Sequence, residues 1–420
     1  MKILYLMTNF PRWQGDVHSP WTVELIHRLN GRGAQVIVCA PSYRGLRDHA
    51  IEGIPVARYR YAPAAWETLT HESGAPNKIR RNPLYLALLP AYLLAGASRV
   101  RKLYHTEKPE VIHIHWPIPQ SVLAWWGCRG QHVRQITTFY GADLALVRKY
   151  PFLAGILRAA VARSDVVTAI SHFTGRELTR LTGIKPLIIP YGIDMAARQT
   201  VEPAKKPARY EILTVGRLIE RKGHKVLIEA FAQLAQSRPD VALTIIGEGQ
   251  ERPNLERQIA ACGLSGRVRL LGRVSDDELQ RAYARCDLFA FPSIVDAAGD
   301  TEGLGMVLLE AMRYEKPVIA SNLGGILDIV ENDITGLLVP PGDAHALAVG
   351  MSRLLDDPAL AERLGRAGRR INAERFAWER IVDAYMAIYR GDSPLALNEE
   401  SLDRKNVALP DDSLEAGNVY

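Results

Sequence analysis

Two glutamates, Glu302 and Glu310, stand in the stretch "GDTEGLGMVLLEAM" (Gly299 to Met312) with seven residues between them. Glu302 is followed by Gly303, Leu304 and Gly305, whereas Glu310 sits inside an apolar run. A carboxylate in a glycine loop ahead of a helix can accept hydrogen bonds from sugar hydroxyls. The glycines beside it let backbone N–H groups approach phosphate oxygens closely. A carboxylate about one and a half turns into that helix can take both hydroxyls of a ribose. Read this way, the two acids grip opposite ends of one nucleotide-sugar. Two other readings compete: a loop acid plus a half-exposed helix acid, or a glycosidase pair, which needs a short distance across a scissile bond.

A second stretch, "VGRLIERKGH", places Gly216, Arg217 and Lys222 just after a strand candidate and before a helix. Two cations five residues apart, beside a helix N-terminus, form a natural cradle for a diphosphate. Alone they would read as two solvated surface charges. Neither rival reading of the glutamates accounts for the glycines or for this cation pair. The N-terminal half carries His18, His113, His115, Tyr140 and Asp143 in segments expected to follow strands. His115 and Asp143 are the preferred acceptor-side residues, although a structural role is the default for any one of the histidines.

Parallel α/β sheets place ligands outside the carboxyl ends of their strands. Strand-like and helix-like runs alternate almost from end to end. "KILYLM" precedes "SPWTVELIHRL", where Ser19 can cap and Pro20 takes the first helical position. The runs "AQVIVCA", "EVIHIHW", "RQITTFY", "DVVTAIS" and "PLIIP" follow. Most are continuously apolar, as parallel strands covered on both faces should be. The rhythm breaks over 191–209, a Pro-, Lys- and Arg-containing stretch read as a linker. A second series then runs through "YEILTVG", "VALTIIG", "RVRLLGRV", "DLFAFPS", "PVIAS" and "GLLVP", with a capping box at Ser275 to Glu278. Two doubly wound α/β domains are the economical architecture, spanning 1–190 and 210–374.

The chain has 420 residues, 47% hydrophobic and 23% charged, which suits two globular domains. Its net charge of +6 hides an asymmetry: seven acids and two bases fall in 391–420, read as a mobile acidic tail. The basic body suits phosphate-bearing substrates or anionic lipid, and nothing in it resembles a nucleic-acid module. The N-terminal "MKILYLM" is too short for a signal segment. Four scattered cysteines without a Cys-x-x-Cys pair read as buried thiols of a cytoplasmic protein. A dinucleotide oxidoreductase is disfavoured, because "GEGQER" lacks the third glycine of the required fingerprint.

Together, Glu302, Glu310, Gly216, Arg217 and Lys222 resemble the Glu-x7-Glu and Gly-Arg…Lys motifs of retaining GT-B glycosyltransferases of family 4, the "glycosyl transferases group 1". The resemblance extends to about Arg390. It implies two Rossmann-like domains facing a cleft, with a last helix at 375–390 crossing back onto the first. It implies that Arg217 and Lys222 hold the donor diphosphate, Glu302 the donor sugar and Glu310 the ribose. Gly216, Gly247, Arg273, Val274, Gly303, Leu304 and Gly305 would complete the nucleotide site. Many members carry a histidine where Tyr140 stands here. The implied reaction moves a hexose from a nucleoside-diphosphate donor to a hydroxyl of a saccharide or lipid-linked acceptor, with retention and without a cofactor. No Asp-x-Asp triplet occurs, in keeping with a metal-independent mechanism. The loop "IVDAAGDTEG" is similar to those of enzymes building bacterial exopolysaccharide or lipopolysaccharide. A sugar-nucleotide epimerase, a phosphorylase-like enzyme or a non-catalytic sugar-nucleotide sensor would share the architecture.

One further stretch, "NPLYLALLPAYLLAGAS" (82–98), is uncharged and flanked by Lys78, Arg80, Arg81, Arg99, Arg101 and Lys102. Its 17 residues and central Pro90 fall short of the roughly 20 apolar residues a spanning helix needs. Two readings stand level: an interfacial helical hairpin on the anionic inner membrane face, or a helix pair buried in the first domain.

Overall fold

The computed structural model describes residues 1–16, 20–71, 74–195 and 208–392. Ser19 and His18, most of the 191–209 segment and the tail beyond Asp392 lie outside the described residues. The first sheet comprises β1 (Lys2–Leu6), β2 (Gln35–Pro41), β3 (His49–Ile51), β4 (Ile54–Tyr59), β5 (Val111–His115), β6 (Arg134–Phe139), β7 (Val166–Ala169) and β8 (Leu187–Ile188). Its spatial order is β3-β4-β2-β1-β5-β6-β7-β8. The second sheet comprises β9 (Tyr210–Val215), β10 (Val241–Ile246), β11 (Val268–Gly272), β12 (Leu288–Phe291), β13 (Val318–Ser321) and β14 (Leu337–Val339). Its order is β11-β10-β9-β12-β13-β14.

All pairings are parallel except β3 with β4. That hairpin turns through Glu52 and Gly53, both at positive φ (48° and 81°), the geometry of a two-residue turn matched to strand twist. It went unread in the sequence. All twelve apolar runs singled out above are strands. β1 and β12 are buried almost throughout, which explains why they read as unbroken apolar runs, and β5 is as buried although it carries His113 and His115.

The helix Trp378–Arg390 buries Trp378, Ile381, Val382, Tyr385, Met386 and Tyr389 in one cluster with Ile3 and Tyr5 of β1. The three- and four-residue spacing gives it one apolar stripe. Its seat needs a small partner: a Cβ on Gly192 would lie 2.3 Å from the Trp378 ring. Tyr389 ends in a buried network, its hydroxyl 2.7 Å from both the Tyr5 hydroxyl and Nδ1 of His113. Another cluster joins the two sheets, with Tyr140 and Ile170 of the first packed with Phe291, Leu304 and Leu308 of the second.

The 82–98 stretch is not a hairpin. A 3-10 turn, Pro83–Leu88, leads straight into one helix, Leu89–Glu107, with Pro90 in the first turn, where its missing N–H costs nothing. Three cysteines are buried thiols as expected, whereas Cys262 is an exposed one.

Candidate active site

The strand β12 ends at Phe291, and the chain returns as the helix Met306–Arg313. Between them, the loop 300–305 faces the end of β9 and the loops of the first sheet. A cavity of about 280 Å³ lies there, lined among others by Tyr140, Tyr191, Arg221, Lys222, Glu302 and Gly303. Its wall therefore comes from both sheets.

Lys222 and Glu302 are joined directly, with Nζ donating to Oε2 at 2.5 Å. The same oxygen accepts from Nη1 of Arg221 at 3.2 Å, and that nitrogen also donates to the Thr301 carbonyl at 3.2 Å. Burial alone would raise the Glu302 carboxyl, but the Lys222 and Arg221 charges outweigh it and hold the group below its ordinary value. The Lys222 ammonium also lies 4.6 Å from the centre of the Phe291 ring. Its position follows from Gly223, which caps the next helix at φ +67° and presses against strand β12's end. A Cβ there would sit 1.8 Å from the Pro292 carbonyl oxygen. Arg221 also lies 3.5 Å from Asp300, whose carboxyl burial pushes up.

Arg221 escaped sequence reading. The short 3-10 turn Glu220–Lys222 brings it to the same carboxylate as its neighbour, which spacing alone does not reveal. The signal available was the doublet Arg221-Lys222 itself. Gly303, Leu304 and Gly305 line the cavity with Glu302. The loop's seat is tight: a Cβ on Gly325 would lie 2.0 Å from the Gly303 carbonyl oxygen, and the Gly325 amide donates to the Glu302 carbonyl at 2.9 Å.

Glu310 does not line this cavity. Its Oε2 accepts from the Tyr283 hydroxyl at 2.7 Å, and burial raises its carboxyl above the ordinary value. The Lys222 charge nonetheless acts on it. With one acid in the cavity and the other facing a neighbouring helix, the glycosidase pairing has no geometric support. Arg217 is exposed at the end of β9, and it feels the charges of Arg221, Glu302 and Asp300. Gly216 and Gly247 form part of one ridge at the ends of β9, β10 and β11. The Gly247 amide donates to the Gly272 carbonyl at 2.9 Å, and a Cβ on Gly247 would meet the Gly216 carbonyl oxygen at 1.9 Å. Arg273 is exposed and Val274 half-buried beside that ridge. The structure thus gathers Lys222, Glu302, Gly303, Leu304 and Gly305, and leaves the other donor-side residues on the adjoining ridge and helix.

The first-domain candidates sit deeper than the sequence suggested. His113 and His115 belong to β5 itself, fully buried, and neither lines the cavity. His115 Nδ1 is 2.5 Å from the Tyr140 hydroxyl, and burial pushes its imidazole down to about 3. It is a neutral group beneath Tyr140. Asp143 is buried and turned inward, where the Tyr140 and Leu144 amides donate to it at 3.2 Å each. Burial raises it to about 6 against those hydrogen bonds. Both residues shape the loop that presents Tyr140. Above them, Trp21, Trp116, Tyr140 and Tyr191 stack into a cleft-side aromatic cluster, with Trp116 and Tyr140 centred 4.3 Å apart. Among the described residues, no group of three or more metal-ligating side chains gathers.

Two parallel-sheet α/β domains with a charged cavity between them form an architecture used by sugar-transferring enzymes, and sequence comparison places the chain among them. The family model described as "Glycosyl transferases group 1" matches residues 197–371, and "Glycosyltransferase Family 4" matches 21–197. The glycogen synthase of Mycobacterium tuberculosis is 30% identical over 73% of this chain and 76% of its own. A GDP-mannose-dependent alpha-(1-6)-phosphatidylinositol monomannoside mannosyltransferase of the same species is 27% identical over 93% of this chain and 98% of its own. Sucrose-phosphate synthase of Thermosynechococcus elongatus superposes with a TM-score of 0.75 at 22% identity, covering 93% of this chain and 98% of that one. The chain belongs to the glycosyl transferases group 1 family and has its GT-B fold.

Proposed function

We propose that the protein transfers a hexose from a nucleoside-diphosphate sugar to an acceptor hydroxyl with retention of configuration and without a metal. The observation that carries this reading is the meeting of Lys222, Arg221 and Glu302 in the cavity between the two sheets. Bond breaking at the anomeric carbon leaves negative charge on the departing diphosphate. The cations Lys222 and Arg221, with Arg217 on the adjoining ridge, stabilise that charge in a largely desolvated site. Glu302, displaced from Lys222 by the phosphates, turns to the sugar hydroxyls, and Glu310 serves the ribose.

Of the acids lining the cavity, Glu302 is paired with Lys222 and Arg221, Glu177 with Arg148, and Asp300 with Arg221. Glu302, held below its ordinary value by Lys222 and Arg221, is a weak proton acceptor. Tyr140 is pushed well above its ordinary value by burial and is no base either. In this reading the departing phosphate oxygen is the base: it takes the acceptor's proton while the acceptor oxygen bonds the anomeric carbon on the face the diphosphate leaves. Acceptors of the lipid-linked or saccharide class fit the relatives, one of which acts on a phosphatidylinositol mannoside. A panel of UDP- and GDP-sugars, read by thermal shift and then by mass spectrometry of products, tests the reading. One donor should raise the melting temperature, and a glycosylated product should form at an unchanged rate in EDTA. Loss of turnover in EDTA restored by magnesium would overturn the metal-free step, and an inverted product would overturn retention.

A further inference from the structure

The helix Leu89–Glu107 is knitted into the first domain by one face only. Tyr92, Gly96, Ala97, Val100 and Leu103 are buried there. A Cβ on Gly96 would meet Leu123 at 2.4 Å, and one on Gly127 would meet Val100 at 2.7 Å. The opposite face is open. Leu84, Leu86 and Leu94 are 65%, 51% and 63% exposed, with Ala87, Pro90 and Ala91 exposed among them.

Cations frame this apolar surface. Arg80 and Arg81 precede it and Arg101 and Lys102 follow it on the helix's outer stripe, all four exposed and without an ion pair among the described residues. Arg99, in contrast, is committed to Asp48. No acidic residue occurs from Gly74 to Thr106, a span holding six lysines and arginines. An apolar strip between cations, with no acid to balance them, matches an anionic surface with an apolar interior. By length and composition Pro83–Glu107 could cross a bilayer, but its inner face is already taken by the helix Pro117–Gly127, so it can only lie on one.

The strip also leads toward the cleft. The Tyr85 ring lies 5.8 Å from Trp66, and its hydroxyl is 3.1 Å from that of Thr68, in the loop that follows β4. From there His71 stacks near Tyr43 at 4.9 Å, after β2. These loops stand at the carboxyl ends of the first sheet, the edge that faces ligands in such domains.

We propose that the outer face of Arg80–Lys102 docks the enzyme on an anionic lipid bilayer, with Leu84, Leu86 and Leu94 inserted and Arg80, Arg81, Arg101 and Lys102 on the headgroups. An acceptor held in that bilayer reaches the cleft past Tyr85 and Trp66. Flotation of the full chain with vesicles tests it, using equal parts phosphatidylglycerol and phosphatidylcholine, or phosphatidylcholine alone. The wild type should float with the anionic vesicles at low salt, sink with the neutral ones and be released by high salt. A cation near an anionic surface strengthens binding about fivefold, so replacing all four with glutamate should weaken it by at least several hundredfold. The triple variant Leu84→Ser, Leu86→Ser, Leu94→Ser should float poorly even at low salt. All seven positions are exposed, so both variants should keep the wild-type melting curve and its shift with nucleotide, which reports the donor site separately. A wild type that stays with neither vesicle overturns the proposal. So do variants that float as well as the wild type, or a solution dimer that the leucine variant splits.

Discussion

Replacing Lys222 with methionine should separate the stability of the cavity from its chemistry. Glu302 is 8% exposed and is held by two cations, at 2.5 Å and 3.2 Å. At an effective dielectric near 20, each contact is worth on the order of 5 kcal/mol before desolvation is subtracted. Breaking a buried pair by removing one partner usually costs about 3–5 kcal/mol. Because Arg221 remains on the carboxylate in Lys222→Met, the lower end applies, about 3 kcal/mol. Glu302→Gln leaves Lys222 without its carboxylate partner and Arg221 with Asp300 alone at 3.5 Å, and the upper end applies, about 5 kcal/mol. The double variant removes both charges and keeps the volume. Residues in direct contact couple by about 0.5–3 kcal/mol, so its loss should fall about 2 kcal/mol short of the two single losses added together.

Urea unfolding gives the stability cycle, and donor consumption gives the activity. Both single variants and the double should lose at least about 30-fold in turnover, since losing a partner of a desolvated phosphate costs roughly 2–5 kcal/mol. The double should lose less stability than the two single losses added together, and it should not regain turnover. A Lys222→Met variant that unfolds like the wild type would refute the desolvated pair. A double variant with wild-type turnover would refute the phosphate role of Lys222.

Two other perturbations probe the frame around the cavity. Gly325→Ala should displace the loop carrying Glu302, because its Cβ would lie 2.0 Å from the Gly303 carbonyl oxygen, so kcat should drop more than tenfold with a lower melting temperature; unchanged kinetics would show that the loop yields freely. Burial lowers His115 to about 3, His224 to about 4 and His113 well below its usual value. Each imidazole takes up its proton only on unfolding once the pH falls below about 6.5, so their stabilisation is complete above that pH and is lost on acidification toward the folded values. Stability should therefore fall by about 1.4 kcal/mol per pH unit for each histidine below about pH 6, and His115→Gln should flatten the slope by one such increment; parallel slopes would show that His115 is not held neutral.

What the sequence revealed and what it concealed divide along a physical line. Strands buried on both faces are largely apolar, as β1, β12 and β13 are, and such runs stand out in the sequence. The β3–β4 hairpin escaped because its edge strand β3 is only three residues long and its turn uses Glu52 at positive φ, where asparagine is the usual signal. The capping box at Ser275 was legible because both halves of its hydrogen bonding are local, and the Glu278 amide and carboxylate close it as the spacing requires. Pro90 misled because proline breaks a helix interior but suits a first turn, and only the start of the helix at Leu89 decides which applies.

The site was legible in its members and illegible in its directions. Seven intervening residues place Glu302 before a helix and Glu310 within it, but side-chain direction depends on where that helix begins. With the first turn at Met306, Glu302 meets Lys222, while Glu310 meets Tyr283 on another helix. Arg221 was overlooked for the converse reason. In a regular helix or strand, adjacent side chains diverge, so a neighbour of Lys222 is expected to point away. At the 3-10 turn Glu220–Lys222 two consecutive cations nonetheless reach one oxygen, Oε2 of Glu302. Such convergence is costly unless an anion completes it. Glu302 is that anion here, and a diphosphate would bring two more negative groups to a site where Arg217 stands exposed with no ion pair of its own among the described residues.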